Sequence, residues 1–209
     1  MRIPVAREGW PFILTPLAAA AIAAATGHTI IALFFFALAL FLLSFFRDPE
    51  RVPEGGEETI TSPADGTVLN VGPAPEAPAG SSRRLSIFMS VFNCHVNRAP
   101  VSGDLAHYEY VSGRMRAAFA EKASTENEQN RITLSSERGA VTFKQIAGAL
   151  ARRIVFYPRV GERLWRGQRI GLIRLGSRVD LFIPDDAEVL VAKGAKVRAG
   201  RTAVARWKA

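Results

Sequence analysis

A chain of 209 residues is long enough for one domain of about 150 residues with its own core, plus an appendage. Its single cysteine, Cys94, excludes an intramolecular disulfide and a cysteine-built zinc site, and the scattered His28, His95 and His107 lack the spacing of a helical metal pair, so no metal is expected. The net charge of +8 belongs to the C-terminal part: residues 1–150 hold 13 Lys and Arg against 14 Asp and Glu, whereas residues 151–209 hold 14 against 5.

The first 50 residues read as a membrane-associated helical hairpin. Trp10 to Ala25 and Thr29 to Phe46 are two almost wholly apolar runs of 16 and 18 residues separated by Gly27-His28. Each is at the short end of what crosses a hydrocarbon core of about 30 Å as a helix, so the hairpin either spans the bilayer or dips into one leaflet. Arg2 and Arg7 precede the first run and Arg47 and Arg51 follow the second, which favours the cytoplasmic side for both ends and for the domain that follows. A cleaved signal peptide is the rival, but two apolar runs without a small-residue cleavage site argue against it.

Glu54-Gly55-Gly56-Glu57-Glu58 marks residues 51–59 as a linker, and a soluble domain is expected over residues 60–209. There the apolar residues alternate in short runs, Leu85, Ile87 and Met89 or Val141 and Phe143, with Gly or Pro every 8 to 12 residues. That pattern predicts a mainly β domain, an antiparallel barrel or sandwich. Two internal repeats refine it. Pro63-x-x-Gly66-x-Val68 recurs as Pro100-x-x-Gly103-x-Leu105 and loosely as Pro184-x-x-Ala187-x-Val189, while Gly161-x-x-Leu164-x-x-Gly167-x-x-Ile170 recurs 33 residues later as Gly194-x-x-Val197-x-x-Gly200-x-x-Ala203. Such turn-strand units resemble the sandwich-hybrid barrels of biotinyl and lipoyl carriers, in which glycines supply the turn conformations. Met115 to Asn130, rich in Ala, Glu, Asn and Gln, reads as a helix or a long polar loop.

The segment Gly167 to Asp180 contains Gly176-Ser177 inside an apolar, strand-like run. It resembles the processing site of phosphatidylserine decarboxylases. Arg7-Glu8-Gly9-Trp10-Pro11-Phe12, Phe45-Phe46-Arg47-Asp48-Pro49, Ser62-Pro63-Ala64-Asp65-Gly66, His95-Val96-Asn97-Arg98-Ala99-Pro100 and Glu126-Asn127-Glu128-Gln129-Asn130 match the same family in the same order, closest to its short, membrane-anchored branch.

The resemblance implies a proenzyme. Ser177 would attack the carbonyl of Gly176, and ester elimination would leave a β chain of residues 1–176 and an α chain of residues 177–209, still associated. The α chain would begin with a pyruvoyl group made from Ser177, the ketone that condenses with the amine of an anionic serine phospholipid and takes up electrons on decarboxylation to phosphatidylethanolamine. Glycine at 176 leaves the attack unobstructed and tolerates strain. A serine hydroxyl needs a base, and the family's Asp-His-Ser arrangement assigns this to His95, with Asp65 orienting the imidazole. The sequence departs from longer relatives, whose H-x-x-H falls here on His95 and Arg98. Arginine is no base near neutral pH, so either His95 serves both steps or Asp65 acts more directly. Arg98, Asn127 and Asn130 are candidates for holding the substrate.

Pyridoxal phosphate, the usual sink, would need a lysine in a phosphate-cradling context, and Lys122, Lys144, Lys193, Lys196 and Lys208 have none. No nucleic-acid motif accompanies the basic C-terminal part. Beside a membrane anchor it would attract anionic headgroups, at about 1 kcal/mol per cation, although a solvated basic face accounts for the charge as well. Three readings stay open beside the main one: a non-enzymatic membrane-anchored carrier or adaptor, a decarboxylase of an ether-linked serine lipid, and, for assembly, a symmetric homodimer.

Overall fold

The computed structural model describes residues 3–114, 123–148, 153–174 and 176–208. The chain divides into two compact units, Met1–Glu50 and Arg51–Ala209.

In the first unit a 3-10 turn, Arg7–Gly9, leads into α1 (Trp10–Ala25), and α2 (Thr29–Phe45) follows after Gly27. Proline in the first turn of α1 is tolerated because that N–H would lack a helical partner anyway. The two ends are tied together: Ala6 N donates to Phe46 O at 2.8 Å and Asp48 N to Pro4 O at 2.7 Å. Arg7–Ala25, 19 residues, is long and apolar enough to cross a membrane, and α2 is a shorter apolar helix. Both carry exposed large apolar side chains, among them Leu14, Ile22, Ile30, Leu33 and Phe34.

The second unit is mainly β, as the alternation predicts. Its strands are β1 (Thr59–Thr61), β2 (Gly66–Pro73), β3 (Ser81–Met89), β4 (Val96–Arg98), β5 (Gly103–Val111), β6 (Gln129–Ser136), β7 (Gly139–Ile146), β8 (Ile154–Phe156), β9 (Arg163–Leu164), β10 (Arg169–Ile173), β11 (Ser177–Pro184), β12 (Ala187–Val189), β13 (Lys196–Val197) and β14 (Ala203–Trp207). Eight of them form one antiparallel sheet in the order β13-β2-β3-β11-β7-β6-β5-β9, flanked by the three-stranded sheets β1-β14-β12 and β4-β10-β8. Leu85, Ile87, Met89, Ile132, Leu134, Val141, Phe143, Val179 and Leu181 close the core from one face of their strands, at period two. Of the Met115 to Asn130 stretch, residues 115–122 lie outside the described residues; Ala123–Glu126 is a short helix, α3, and Gln129 begins β6.

The repeats prove to be one structural unit used twice. Gly66 pairs with Val197 in β2 and β13, and Gly103 pairs with Leu164 in β5 and β9. Gly200 N donates to Ser62 O at 2.7 Å, and its counterpart Gly167 N donates to Ala99 O at 2.9 Å. Glycine is required where β2 and β5 begin, because a Cβ would stand 2.1 Å from Phe88 O at position 66 and 2.4 Å from Ser135 O at position 103. The segment expected as a linker is strapped to the domain: Glu54 N donates to Arg201 O at 2.9 Å, and Arg166 Nη2 to Gly55 O at 2.8 Å.

Gly66→Ala should therefore lower the melting temperature by roughly 3–10 °C, the consequence of an overpacking cost of about 1–3 kcal/mol. Gly72→Ala in the same strand, where a Cβ meets nothing nearer than 3.6 Å, should shift it by no more than about 2 °C. Equal melting of the two variants in a thermal unfolding scan would contradict the close-approach account.

Candidate active site

The apolar run around Gly176-Ser177 is not one strand. β10 ends at Ile173 in a three-stranded sheet, and β11 starts at Ser177 in the eight-stranded sheet, so the Gly176–Ser177 bond lies where the chain crosses between sheets. Gly176 makes the crossing with φ +61°, the left-handed region that a side chain disfavours, and open space surrounds the position a Cβ would take. Ser177 is wholly buried opposite Met89 of β3, and its hydroxyl donates to Met89 Sδ at 3.4 Å.

His95 stands just before β4, beside the end of β10, where Ile173 N donates to His95 O at 3.3 Å. It is buried, and its Nδ1 lies 3.0 Å from Asn93 O. A carbonyl oxygen only accepts, so Nδ1 carries the hydrogen and the neutral ring keeps its lone pair on Nε2, the form a general base needs. Asn93 is fixed in turn: its Oδ1 accepts from Ser90 N at 2.8 Å and from Ser90 Oγ at 2.9 Å.

Asp65 is held elsewhere. Its carboxylate is paired with Arg51, whose Nη2 donates to Oδ2 at 2.9 Å, and Oδ1 accepts from Ala199 N at 2.8 Å. The internal repeat explains this placement, because Ser102, the counterpart of Asp65, accepts in the same way from Arg166 N, the counterpart of Ala199, at 3.1 Å. The expected pairing of Asp65 with the imidazole is thus replaced by a turn contact that recurs in the other copy of the repeat and by an ion pair to Arg51; Asn93 O orients the ring instead.

Arg98 is buried and donates from Nη1 to Gly167 O at 2.9 Å. Asn127 donates from Nδ2 to Ala147 O at 2.7 Å, and Asn130 from Nδ2 to Gln145 Oε1 at 3.1 Å. Described contacts join Asn130, through Gln145, Asn97 and Met89, to Ser177, and leave Asp65 with Arg51 and Ala199 N.

Known proteins resemble this chain along most of its length. The model of the phosphatidylserine decarboxylase family matches residues 38–205. The chain is 43% identical over 201 residues to the phosphatidylserine decarboxylase proenzyme of Geotalea uraniireducens, covering 95% of this chain and 94% of that one. It is 50% identical over 170 residues to the proenzyme of Trichlorobacter lovleyi, covering 81% and 78%, and 45% identical over 210 residues to that of Symbiobacterium thermophilum, covering 99% and 97%. The chain belongs to the phosphatidylserine decarboxylase family. The resemblance read from the motifs is borne out over nearly the whole length, and with it membership of a family of carboxy-lyases.

Sequence motifs shared with the decarboxylase family do not reveal what lies on the other face of β11. Arg178 and Asp180 point away from the core and form a buried clasp: Arg178 Nε donates to Asp180 Oδ1 at 2.6 Å, Arg178 Nη2 to Ser86 Oγ at 2.7 Å, and Ser124 Oγ of α3 to Asp180 Oδ2 at 2.7 Å. Burial, followed by the charge of Arg131, pulls the ammonium of nearby Lys144 below the usual lysine range, while Asp180 opposes the shift. An Arg-x-Asp pair on a strand reads as ordinary surface charge, whereas here Ser86 of β3 and Ser124 of α3 bond to it in the interior.

Asp180→Asn should remove the buried carboxylate charge that Arg178 Nε and Ser124 Oγ share and destabilise the domain by about 3–5 kcal/mol, read as a large fall in melting temperature. Replacing both as Arg178→Met with Asp180→Leu should recover most of that loss; a single variant that melts with the unaltered chain would dispose of the clasp.

Proposed function

We propose that this chain is a phosphatidylserine decarboxylase precursor that cleaves itself between Gly176 and Ser177 and then converts phosphatidylserine to phosphatidylethanolamine. The observation that carries this reading is the buried Ser177 hydroxyl set immediately after a left-handed glycine, at a crossing between two sheets.

In the first step the Ser177 hydroxyl adds to the Gly176 carbonyl while His95 Nε2 takes its proton. The C–N bond then breaks, the nitrogen receives a proton, and Gly176 is left as an ester of the Ser177 oxygen. Elimination across Cα and Cβ of residue 177 releases Gly176 as a carboxylate. The dehydroalanine that remains takes up one water and loses ammonia, giving a pyruvoyl group at the head of residues 177–209.

The position fits that group. Met89 Sδ, which faces the hydroxyl in the precursor, is a neutral soft wall that accommodates the resulting methyl equally well. Once formed, the pyruvoyl group supplies the electron sink that loss of the substrate carboxylate requires. In this reading His95, its Nδ1 hydrogen committed to Asn93 O, takes up a proton on Nε2 and returns it to the substrate α-carbon.

Both products stay in one molecule because the α chain supplies interior strands. β11 lies between β3 and β7, and β14 between β1 and β12, so cutting one peptide bond leaves the sheet pairing of residues 177–209 intact. The exposed apolar side chains of α1 and α2 support membrane attachment. Arg7 and Arg47 at the ends of the pair support a cytoplasmic placement of the domain. An anchored enzyme meets its lipid substrate in the plane of the membrane.

The test is phosphatidylethanolamine formation from vesicles containing phosphatidylserine. The chain should form it and Ser177→Ala should form none, remaining a single uncleaved polypeptide. Decarboxylation by Ser177→Ala at an undiminished rate would refute the proposal.

A further inference from the structure

A buried chain of uncharged side chains runs from the core to the Ser177 hydroxyl, and beyond Met89 nothing in the chemistry above uses it. Met89 Sδ receives two donors, Ser177 Oγ at 3.4 Å and Asn97 Nδ2 at 3.7 Å. Asn97 Oδ1 accepts from Gln145 Nε2 at 2.8 Å, Gln145 Oε1 accepts from Asn130 Nδ2 at 3.1 Å, and Asn130 Oδ1 accepts from Tyr108 OH at 3.3 Å. Asn97 and Gln145 are completely buried, Asn130 all but completely.

The chain also crosses the fold. Asn97 lies on β4, in the sheet that carries β10 up to the scissile bond, whereas Met89, Gln145 and Asn130 lie on β3, β7 and β6 of the sheet that receives β11. It therefore joins the two sheets at the place where the chain passes from one to the other.

Buried amides are expensive unless satisfied, and three of them in a row in an otherwise apolar core call for a reason beyond packing. Their geometry gives one. Methionine is unbranched and mobile about three side-chain bonds, so a thioether in a core is poorly fixed by packing alone. It is also a weak acceptor, able to orient a hydroxyl without holding its proton strongly against a base. A thioether that must present its sulfur to one hydroxyl needs a second, rigid contact, and Asn97, locked by Gln145, provides it.

We propose that Met89 holds the Ser177 hydroxyl before self-cleavage, and that Asn97, Gln145, Asn130 and Tyr108 are positioning residues that fix the Met89 sulfur. This rests on the reading of Ser177 as the self-cleaving nucleophile and adds to it the residues that set the rate.

The experiment is a time course of precursor conversion after cell-free synthesis of the full chain into phosphatidylserine-containing nanodiscs, followed by gel and mass spectrometry. Met89→Leu and Asn97→Leu keep side-chain volume and should each slow conversion about five- to tenfold, the equivalent of one lost hydrogen bond. Because Asn97 acts through the sulfur, the double variant should be no slower than the slower single one. Tyr108→Phe, which removes only the outermost hydroxyl, should fold normally and slow conversion about twofold, and it keeps the test alive if Asn97→Leu fails to fold. Variants converting at the unaltered rate, or a double variant whose slowing is the product of the two singles, would overturn the positioning role while leaving self-cleavage standing. An unaltered chain that never converts would overturn both.

Discussion

The structure depends on the pairing of β11 between β3 and β7. Antiparallel register fixes which side chain of β11 meets which neighbour, and the pleat sends alternate residues to opposite faces. Ser177 is thereby set against Met89 on the inner face, and Asp180 against Ser86 on the outer. A one-residue slip would turn Ser177 outward and bring Arg178 and Asp180 into the apolar core. The outer clasp opposes that slip, because Arg178, Asp180, Ser86 and Ser124 satisfy one another only in the observed register. Stability on one face thus fixes the position of Ser177 on the other.

The second organising feature is the duplicated turn-strand unit. Gly66 and Gly103 start matching strands, and Asp65 and Ser102 accept the same turn N–H from Ala199 and Arg166. In one copy the acceptor is a carboxylate, and it recruits Arg51 from the segment that leads into the domain. In the other it is a hydroxyl, and Arg166 instead gathers carbonyls of residues 54–59. Duplication supplies the frame, and departures from exact repetition fasten the entering chain to it.

Much of this was legible in the sequence. Alternation in Leu85, Ile87 and Met89 gave strands, the spaced glycines gave the duplicated turns, and two apolar runs broken by Gly27-His28 gave a helix pair. What escaped was everything set by contacts between residues distant in the chain. Met89 alternates with Leu85 and Ile87 as one more core residue, and nothing local distinguishes its sulfur. Asn97 lies within a motif that matches the family, yet its partners are 8 and 48 residues away. Arg51 reads as a membrane-flanking charge until its pairing with Asp65 is seen. The Gly176-Ser177 pair itself is apparent in the sequence, but the run around it reads as a single strand, because the break at residue 176 is a backbone conformation and not a change in hydrophobicity.

On the proposed function, the chain is built to break at one bond and remain folded. Intact mass spectrometry of the purified protein under denaturing conditions tests it most directly. Two polypeptides meeting between Gly176 and Ser177 are expected, residues 1–176 and a 33-residue fragment carrying a hydroxylamine-reactive ketone, from material that elutes as one species under native conditions. A single polypeptide of 22.7 kDa from a preparation active on phosphatidylserine would contradict it.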